Sequence, residues 1–149
     1  MATIEQKFVY PPNWDYFYPV NFGIKNYTIN RVMIGTATAD ETDVVLVTPG
    51  DFYTTQGEVG KRLHIQHISY TMSLGDTAYL KLAWDRTDKP IISVLSGWGS
   101  TGTKDSRVSG YGAFEDPGEG GTGAILLSTV GVAENDTYDI TISFSVKKK

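Results

Sequence analysis

An alternating apolar pattern between residues 68 and 84 is the feature that most constrains the fold. Apolar side chains occupy every second position over 68–74, and the alternation resumes over 78–84. A period of two is typical of half-buried strands. Because three residues, 75–77, separate the two runs, both apolar sets fall on one face. The pattern therefore predicts a β-hairpin that pairs the two runs across this turn.

Just upstream, the apolar positions change from odd to even numbers. Leu63 and Ile65 precede the shift, and one inserted residue near Gln66 accounts for it as a β-bulge. The bulge allows both histidines of the chain, His64 and His67, to face outward. Nothing nearby supplies a clear third metal ligand, so we interpret them as surface residues and expect no metal site.

Length and composition limit the possible classes of protein. The 149 residues are enough for one domain with a core, and they include no cysteine, which excludes disulfides and thiolate chemistry. A net charge of −4 argues against general nucleic-acid binding. No apolar run has membrane-spanning length, and the first residues lack the pattern of a signal peptide. We therefore expect neither nucleic acid nor a membrane as a partner.

Further apolar runs, separated by turn residues, predict a series of strands. These runs lie at 27–38, 44–47, 90–95, 124–130 and 138–146. In the first run we expect Val32 and Ile34 to face inward, and the last run has the cleanest alternation. The acidic stretch 40–43 lacks the ligand spacing of a calcium loop and is interpreted as a polar turn.

No window of the sequence has the apolar spacing of an amphipathic helix. Strands without intervening helices predict an all-β fold, a single antiparallel β-sandwich with jelly-roll-like strand order.

Residues 8–22 combine seven aromatic rings with three prolines and follow no strand or helix period. Proline removes amide donors, so a central strand is not expected here. Each ring can bury about 150–250 Å² and should therefore lie against another surface. That surface is the chain's own sandwich, another protein or a sugar. We divide the chain into an extended N-terminal arm, 1–26, and a sandwich, 27–149. The candidate partner-binding residues of the arm are Phe8, Tyr10, Trp14, Tyr16, Phe17, Tyr18 and Phe22.

The stretch 96–123 holds nine of the sixteen glycines and is predicted to be a functional or flexible loop. Its aromatic residues Trp98, Tyr111 and Phe114 are the candidate partner-binding residues of this loop. Residues 97–102 match the dinucleotide-binding glycine pattern, but no helix is predicted after them. We therefore expect no cofactor.

The sequence contains no recognisable catalytic group. No serine lies in the strand-to-helix elbow that a hydrolytic triad needs. A carboxylate pair for glycoside cleavage depends on the fold, and no pair stands out. The prediction is that the protein has no catalytic residues and is not an enzyme.

Two segments of the second half carry a resemblance. Trp84-Asp85-Arg86 leads into Pro-Ile-Ile-Ser-Val-Leu-Ser-Gly at 90–97, and Gly-Ala-Ile-Leu-Leu-Ser-Thr-Val-Gly at 123–131 leads into the last strand and a lysine tail. Over 62–149 the chain resembles small virion proteins of tailed bacteriophages that decorate or cement the capsid. The resemblance implies a β-sandwich, often a homotrimer, bound between major capsid subunits on the virion surface. It also implies synthesis in the host cytoplasm and no catalytic residues.

Two functional hypotheses follow. The first is a non-enzymatic decoration protein whose aromatic arm adds contact area, since interface energy concentrates in residues such as Trp and Tyr. The second is a carbohydrate- or receptor-binding module of a tail fibre or other appendage, in which Trp98 and Tyr111 stack on sugars.

Overall fold

The structure, a computed structural model, describes residues 2–10, 26–35, 40–54, 56–105 and 112–148. In these ranges the chain is almost entirely β. The strands are β1 (Ala2–Tyr10), β2 (Tyr27–Gly35), β3 (Val44–Val47), β4 (Arg62–Ser73), β5 (Tyr79–Trp84), β6 (Ile91–Leu95), β7 (Ser100–Asp105), β8 (Ile125–Val130) and β9 (Thr137–Lys147). Short 3₁₀ helices occupy Pro49–Asp51 and Gly112–Phe114.

The strands form two antiparallel sheets that enclose one core, as predicted for a sandwich. The five-stranded sheet has the order β1-β2-β9-β4-β7, and the four-stranded sheet has the order β3-β8-β5-β6. Alternate residues of β9, from Tyr138 to Val146, face the core, so the prediction for this strand is confirmed. The buried aliphatic and aromatic side chains of both sheets meet between the layers.

The pairing of the strands is nested. β2 pairs with β9, β3 with β8, β4 with β7 and β5 with β6. Successive pairs alternate between the sheets: the first and third pairs lie in the five-stranded sheet, and the second and fourth lie in the four-stranded sheet. Two further contacts, β4 with β9 and β5 with β8, join these pairs within each sheet.

The predicted hairpin across residues 75–77 is wrong. β4 and β5 lie in different sheets, and the loop between them passes from one layer to the other. Leu74 and Ala78, on either side of the turn, are both buried, so the apolar sets do face one core. The alternation places the apolar side chains of both runs in the core whether the two strands pair in a hairpin or lie in different sheets. It therefore does not predict which strand each run pairs with.

The predicted bulge in β4 is confirmed. The register of β4 against β9 shifts between Ile65 and His67, which pair with the consecutive residues Phe144 and Ser143. Ile65 and Ile68 are consequently both buried although they differ in parity. The extra residue keeps both halves of this 12-residue strand facing the core.

The N-terminal stretch differs from the prediction. Ala2–Tyr10 is not part of an arm but forms the edge strand β1, which pairs antiparallel with β2. The inward face of β2 is also reversed: Ile29, Arg31 and Met33 are buried, whereas Ile34 is 51% exposed. The expectation that Val32 and Ile34 face inward is wrong because the buried set includes a charged residue, Arg31.

The glycine-rich stretch is not one long loop. Ser100–Asp105 forms β7 and pairs with β4, and Gly102 lies against the Tyr70 ring, where a side chain would collide with it. The glycine pattern at 97–102 therefore runs into a strand and not into a helix.

Candidate interaction surfaces

Residues 96–99, called here the Trp98 loop, connect β6 to β7 and expose a large aromatic side chain. Gly97 and Gly99 have positive φ angles of 129° and 61°, which glycine adopts at little cost. The Leu74 amide donates to the Gly97 carbonyl at 2.9 Å and so fixes the loop to the β4–β5 connection. Trp98 is 72% exposed, the largest value among the exposed hydrophobic residues described. Such a ring on an anchored loop is suited to contact a partner.

Phe114 has the opposite environment. Its side chain is 1% exposed and belongs to the hydrophobic core. Next to it, the Trp84 indole Nε1 donates to the Ala113 carbonyl at 2.8 Å. The prediction that Phe114 contacts a partner is therefore corrected, because a buried ring is not available at the surface. The third predicted loop residue, Tyr111, lies outside the described residues.

A buried ion pair holds residues 112–124, called here the pinned loop. Arg86 Nε and Nη2 donate to the two carboxylate oxygens of Asp116 at 2.7 and 2.6 Å. The Arg86 and Asp116 side chains are 9% and 0% exposed. This bidentate hydrogen bonding raises the pKa of Arg86, so the guanidinium remains charged. Arg86 Nη1 also donates to the Gly120 carbonyl at 2.7 Å.

Backbone and side-chain bonds from Asp85 fix the same loop further along. The Thr122 hydroxyl and amide donate to Asp85 Oδ2 at 2.7 and 3.2 Å. These hydrogen bonds lower the pKa of Asp85. The Asp85 amide donates to the Ala124 carbonyl at 2.8 Å, and the Gly123 amide donates back to Asp85. The Trp84-Asp85-Arg86 segment thus organises a loop about 30 residues away.

A second buried network connects the five-stranded sheet to Glu41, whose backbone is hydrogen-bonded to Thr129 of β8 in the four-stranded sheet. Arg31 Nε donates to the Tyr138 hydroxyl at 3.0 Å, and that hydroxyl donates to Glu41 Oε1 at 2.5 Å. Arg31 also pairs with Glu41 directly and donates to Gln6 Oε1 at 2.6 Å. Burial, together with the hydrogen bond to Glu41, raises the pKa of Tyr138. Every member therefore has a charge or hydrogen-bond partner.

The two histidines face outward on β4, on the far side of the sheet from the core, and each meets a different carboxylate. His64 Nδ1 lies 2.7 Å from Glu115 Oε1, and His67 Nδ1 lies 3.6 Å from Asp105 Oδ2. The first contact links β4 to the pinned loop. Within the described ranges, no three metal-ligating side chains are close enough to share an ion.

The candidate residues of the arm are only partly described. Phe8 is half-buried in β1, and its ring meets Phe52 edge-on at a centroid distance of 5.5 Å. Tyr10 ends β1. The remaining five lie outside the described residues: Trp14, Tyr16, Phe17, Tyr18 and Phe22.

The outer faces of the two sheets differ, and the sequence reasoning missed this difference. The five-stranded sheet presents rows of small polar residues, such as Asn30, Thr141, Ser69 and Thr103, which are register neighbours. In the four-stranded sheet, one register row is apolar from edge to edge and runs through Val45, Leu126, Ala83 and Ile91. Val45 and Ile91 at the two edges are exposed, whereas Leu126 and Ala83 between them are buried. The continuous apolar runs of β3, β6 and β8 carried this signal, because strands covered on one face normally alternate.

In the part of the chain that the structure describes, no helix has the length and apolar character needed to cross a membrane. No protein-family model matches the sequence, and no curated protein matches it.

Proposed function

We propose that this protein is a non-enzymatic structural component of a bacteriophage particle, a decoration protein that binds across major capsid subunits and stabilises the shell. It would act on the virion surface as a homo-oligomer, with a trimer as the expected state, after synthesis in the host cytoplasm. The proposal combines the resemblance of residues 62–149 with the strand order of the sandwich.

The nested strand pairing is the observation that carries the proposal. Pairing β2 with β9, β3 with β8, β4 with β7 and β5 with β6 in alternate sheets supports a jelly roll with β1 as an added edge strand. Jelly rolls recur in viral capsid proteins and in lectins. Since one fold serves many functions, the strand order supports the proposal at the level of fold.

The buried ionisable groups fit a structural role. Arg86 and Asp116 hold a loop, and Arg31, Glu41 and Tyr138 join the sheets. Both clusters lie in the interior and form contacts within the chain. Fully hydrogen-bonded networks of this kind make a domain rigid, as a structural protein requires.

The contact with capsid subunits is assigned to the aromatic residues that follow β1. A triple variant, Trp14→Ala, Phe17→Ala and Tyr18→Ala, leaves β1 intact, which a deletion from residue 1 would not. We expect it to keep the circular dichroism spectrum of the parent but to lose co-sedimentation with undecorated capsid shells. Interface hot spots cost about 2 kcal/mol or more each, so affinity should fall by more than about 30-fold.

Thr103→Ala is the matched control, since it changes an exposed side chain of β7 that is not a candidate contact residue. If the triple variant co-sediments as well as the parent, the arm does not bind the capsid. If neither parent nor variant binds shells, the decoration role itself is wrong.

The exposure of Trp98 favours a second candidate, a carbohydrate- or receptor-binding module of a virion appendage. A 72% exposed indole between two glycines has most of its surface available to stack on a sugar. Reproducible binding on a glycan array that is lost in Trp98→Ala and kept in Thr103→Ala would support this candidate. An array without signal for the parent protein would reject it.

A further inference from the structure

Strand β1 stands apart from the nested pairing that forms the rest of the sandwich. The four nested pairs use only β2 to β9, and β1 is added at the edge of β2. Among the described side chains of β1, those of residues 3–7 and 9 are exposed, and only Phe8 packs against the core. The core therefore depends on β1 at a single ring.

The edge of β2 nevertheless holds β1 through specific contacts. Seven consecutive residue pairs of the two strands share one register. The Gln6 side chain donates to the Leu46 carbonyl at 3.1 Å and accepts from Arg31 at 2.6 Å. Two residues further on, Phe8 meets the ring of Phe52. The edge thus requires a side-chain amide and a ring at this spacing, so it selects the β1 sequence of this chain.

The connection between β1 and β2 is far longer than their pairing requires. Sixteen residues, 11–26, separate the two strands, although about two to five residues usually join adjacent antiparallel strands. Three of the sixteen are proline, which favours extended backbone over a compact reversal. A connection of this length can span about 50 Å, whereas a folded chain of 149 residues is roughly 40 Å across. The connection is therefore long enough to carry β1 to a neighbouring copy.

We propose that, in the homo-oligomer, β1 of each copy pairs with β2 of a neighbouring copy, so that every copy donates one strand and receives one. The inference rests on the oligomer of the proposed function. The exchanged strand makes the same contacts as it does within one chain, so exchange costs little contact energy. A short linker gives β1 an effective concentration of about millimolar at its own edge, and a neighbour in the same oligomer offers a similar value. Exchange around a threefold axis closes into a ring of three copies.

The chain contains no cysteine, so an engineered disulfide reports which copy supplies β1. The variant Glu5→Cys with Val32→Cys places two thiols on directly opposed residues of β1 and β2. After complete oxidation at a concentration where sedimentation shows the oligomer, we expect a non-reducing gel band at three times the 16.4 kDa of one chain. Pairing within one chain would give a band at 16.4 kDa. Thr3→Cys with Ile34→Cys repeats the test at another pair of the same register.

The matched control is Thr71→Cys with Thr101→Cys, which lies in the same row of the sheet but joins β4 to β7. Its disulfide should form within one chain, and the reduced variants should keep the circular dichroism spectrum of the parent. Two outcomes would overturn the proposal: an oligomer whose β1–β2 disulfides form within single chains, or a parent that stays monomeric up to millimolar concentration. A covalent dimer would support the exchange and contradict the trimer. Linked trimers that do not bind capsid shells would count against the decoration role alone.

Discussion

The Trp98 loop and the pinned loop are both rich in glycine, yet their side chains are used in opposite ways. The pinned loop is 13 residues long, and its Phe114 and Asp116 are almost fully buried. The Trp98 loop has four residues and exposes its largest side chain. Length and glycine content therefore do not identify a binding loop in this protein. The two loops differ in how they are held: a buried ion pair between Arg86 and Asp116 holds the pinned loop, whereas a backbone hydrogen bond from Leu74 holds the Trp98 loop.

Breaking the ion pair of the pinned loop should have the largest effect. Removing one partner of a buried salt bridge typically costs 3–5 kcal/mol, because the other charge stays buried without compensation, and we expect roughly 4 kcal/mol for Asp116→Ala. Urea unfolding measures this change. The exposed pair of Lys89 and Asp43 is the control, since water screens this pair and Lys89→Ala should lower the free energy of unfolding far less than Asp116→Ala. Equal losses in the two variants would contradict the buried role of Arg86 and Asp116.

Removing one aromatic ring from each loop tests the comparison directly. Phe114→Ala leaves a cavity in the core and should cost about 3 kcal/mol. Trp98→Ala should change the free energy of unfolding by less than about 0.5 kcal/mol. Thermal denaturation followed by circular dichroism compares the two. A larger loss for Trp98→Ala would mean that its ring stabilises the fold.

A glycine of the pinned loop should have a smaller effect. Gly121 has a φ of 49°, and a Cβ there would lie 2.1 Å from the Asp85 carbonyl oxygen. Gly121→Ala should therefore cost about 1–2 kcal/mol. At Gly50 a Cβ meets nothing within 4 Å, so Gly50→Ala should be neutral or slightly stabilising. Urea denaturation midpoints of the two variants measure this difference in stability. Equal midpoints would argue against close packing at Gly121.

The smallest effect concerns pH. Hydrogen bonds from Thr122 lower the pKa of Asp85 in the folded state, so its stabilising contribution is full above the unfolded pKa of about 3.9. It is lost as the pH falls through the folded pKa. Thr122→Val removes the hydroxyl donor and should make the loss of stability in acid shallower. Urea midpoints measured below about pH 5 test this, and an unchanged acid slope would exclude a role for that hydrogen bond.

Several elements could be predicted from the sequence because their signal is local. The alternation in β4, β5 and β9 identifies the buried face of each strand, and the change of phase near Gln66 identifies the bulge. A strand with one buried face needs apolar residues at every second position, whichever strand it pairs with. Trp98 is exposed, and its role as a contact residue stays a prediction.

Other features could not be read from local patterns because their partners are far away in the chain. Arg31 made the inner face of β2 look polar, and its burial depends on Tyr138, 107 residues later. Phe114 is buried by a loop that Arg86 holds, and no pattern near Phe114 indicates that contact. The predicted arm failed at Ala2–Tyr10 because the edge of β2 was available for pairing.

The sequence by itself determined that the chain is all-β, where most strands lie and which side of β4, β5 and β9 is apolar. Tertiary structure alone decided that β4 and β5 belong to different sheets, that Arg31 faces inward and that Leu126 and Ala83 are buried. The physical reason is that the alternation of apolar and polar residues within a strand determines which of its faces is buried. The choice of partner strand, and of what covers an outer face, depends on the free energy of contacts between distant segments.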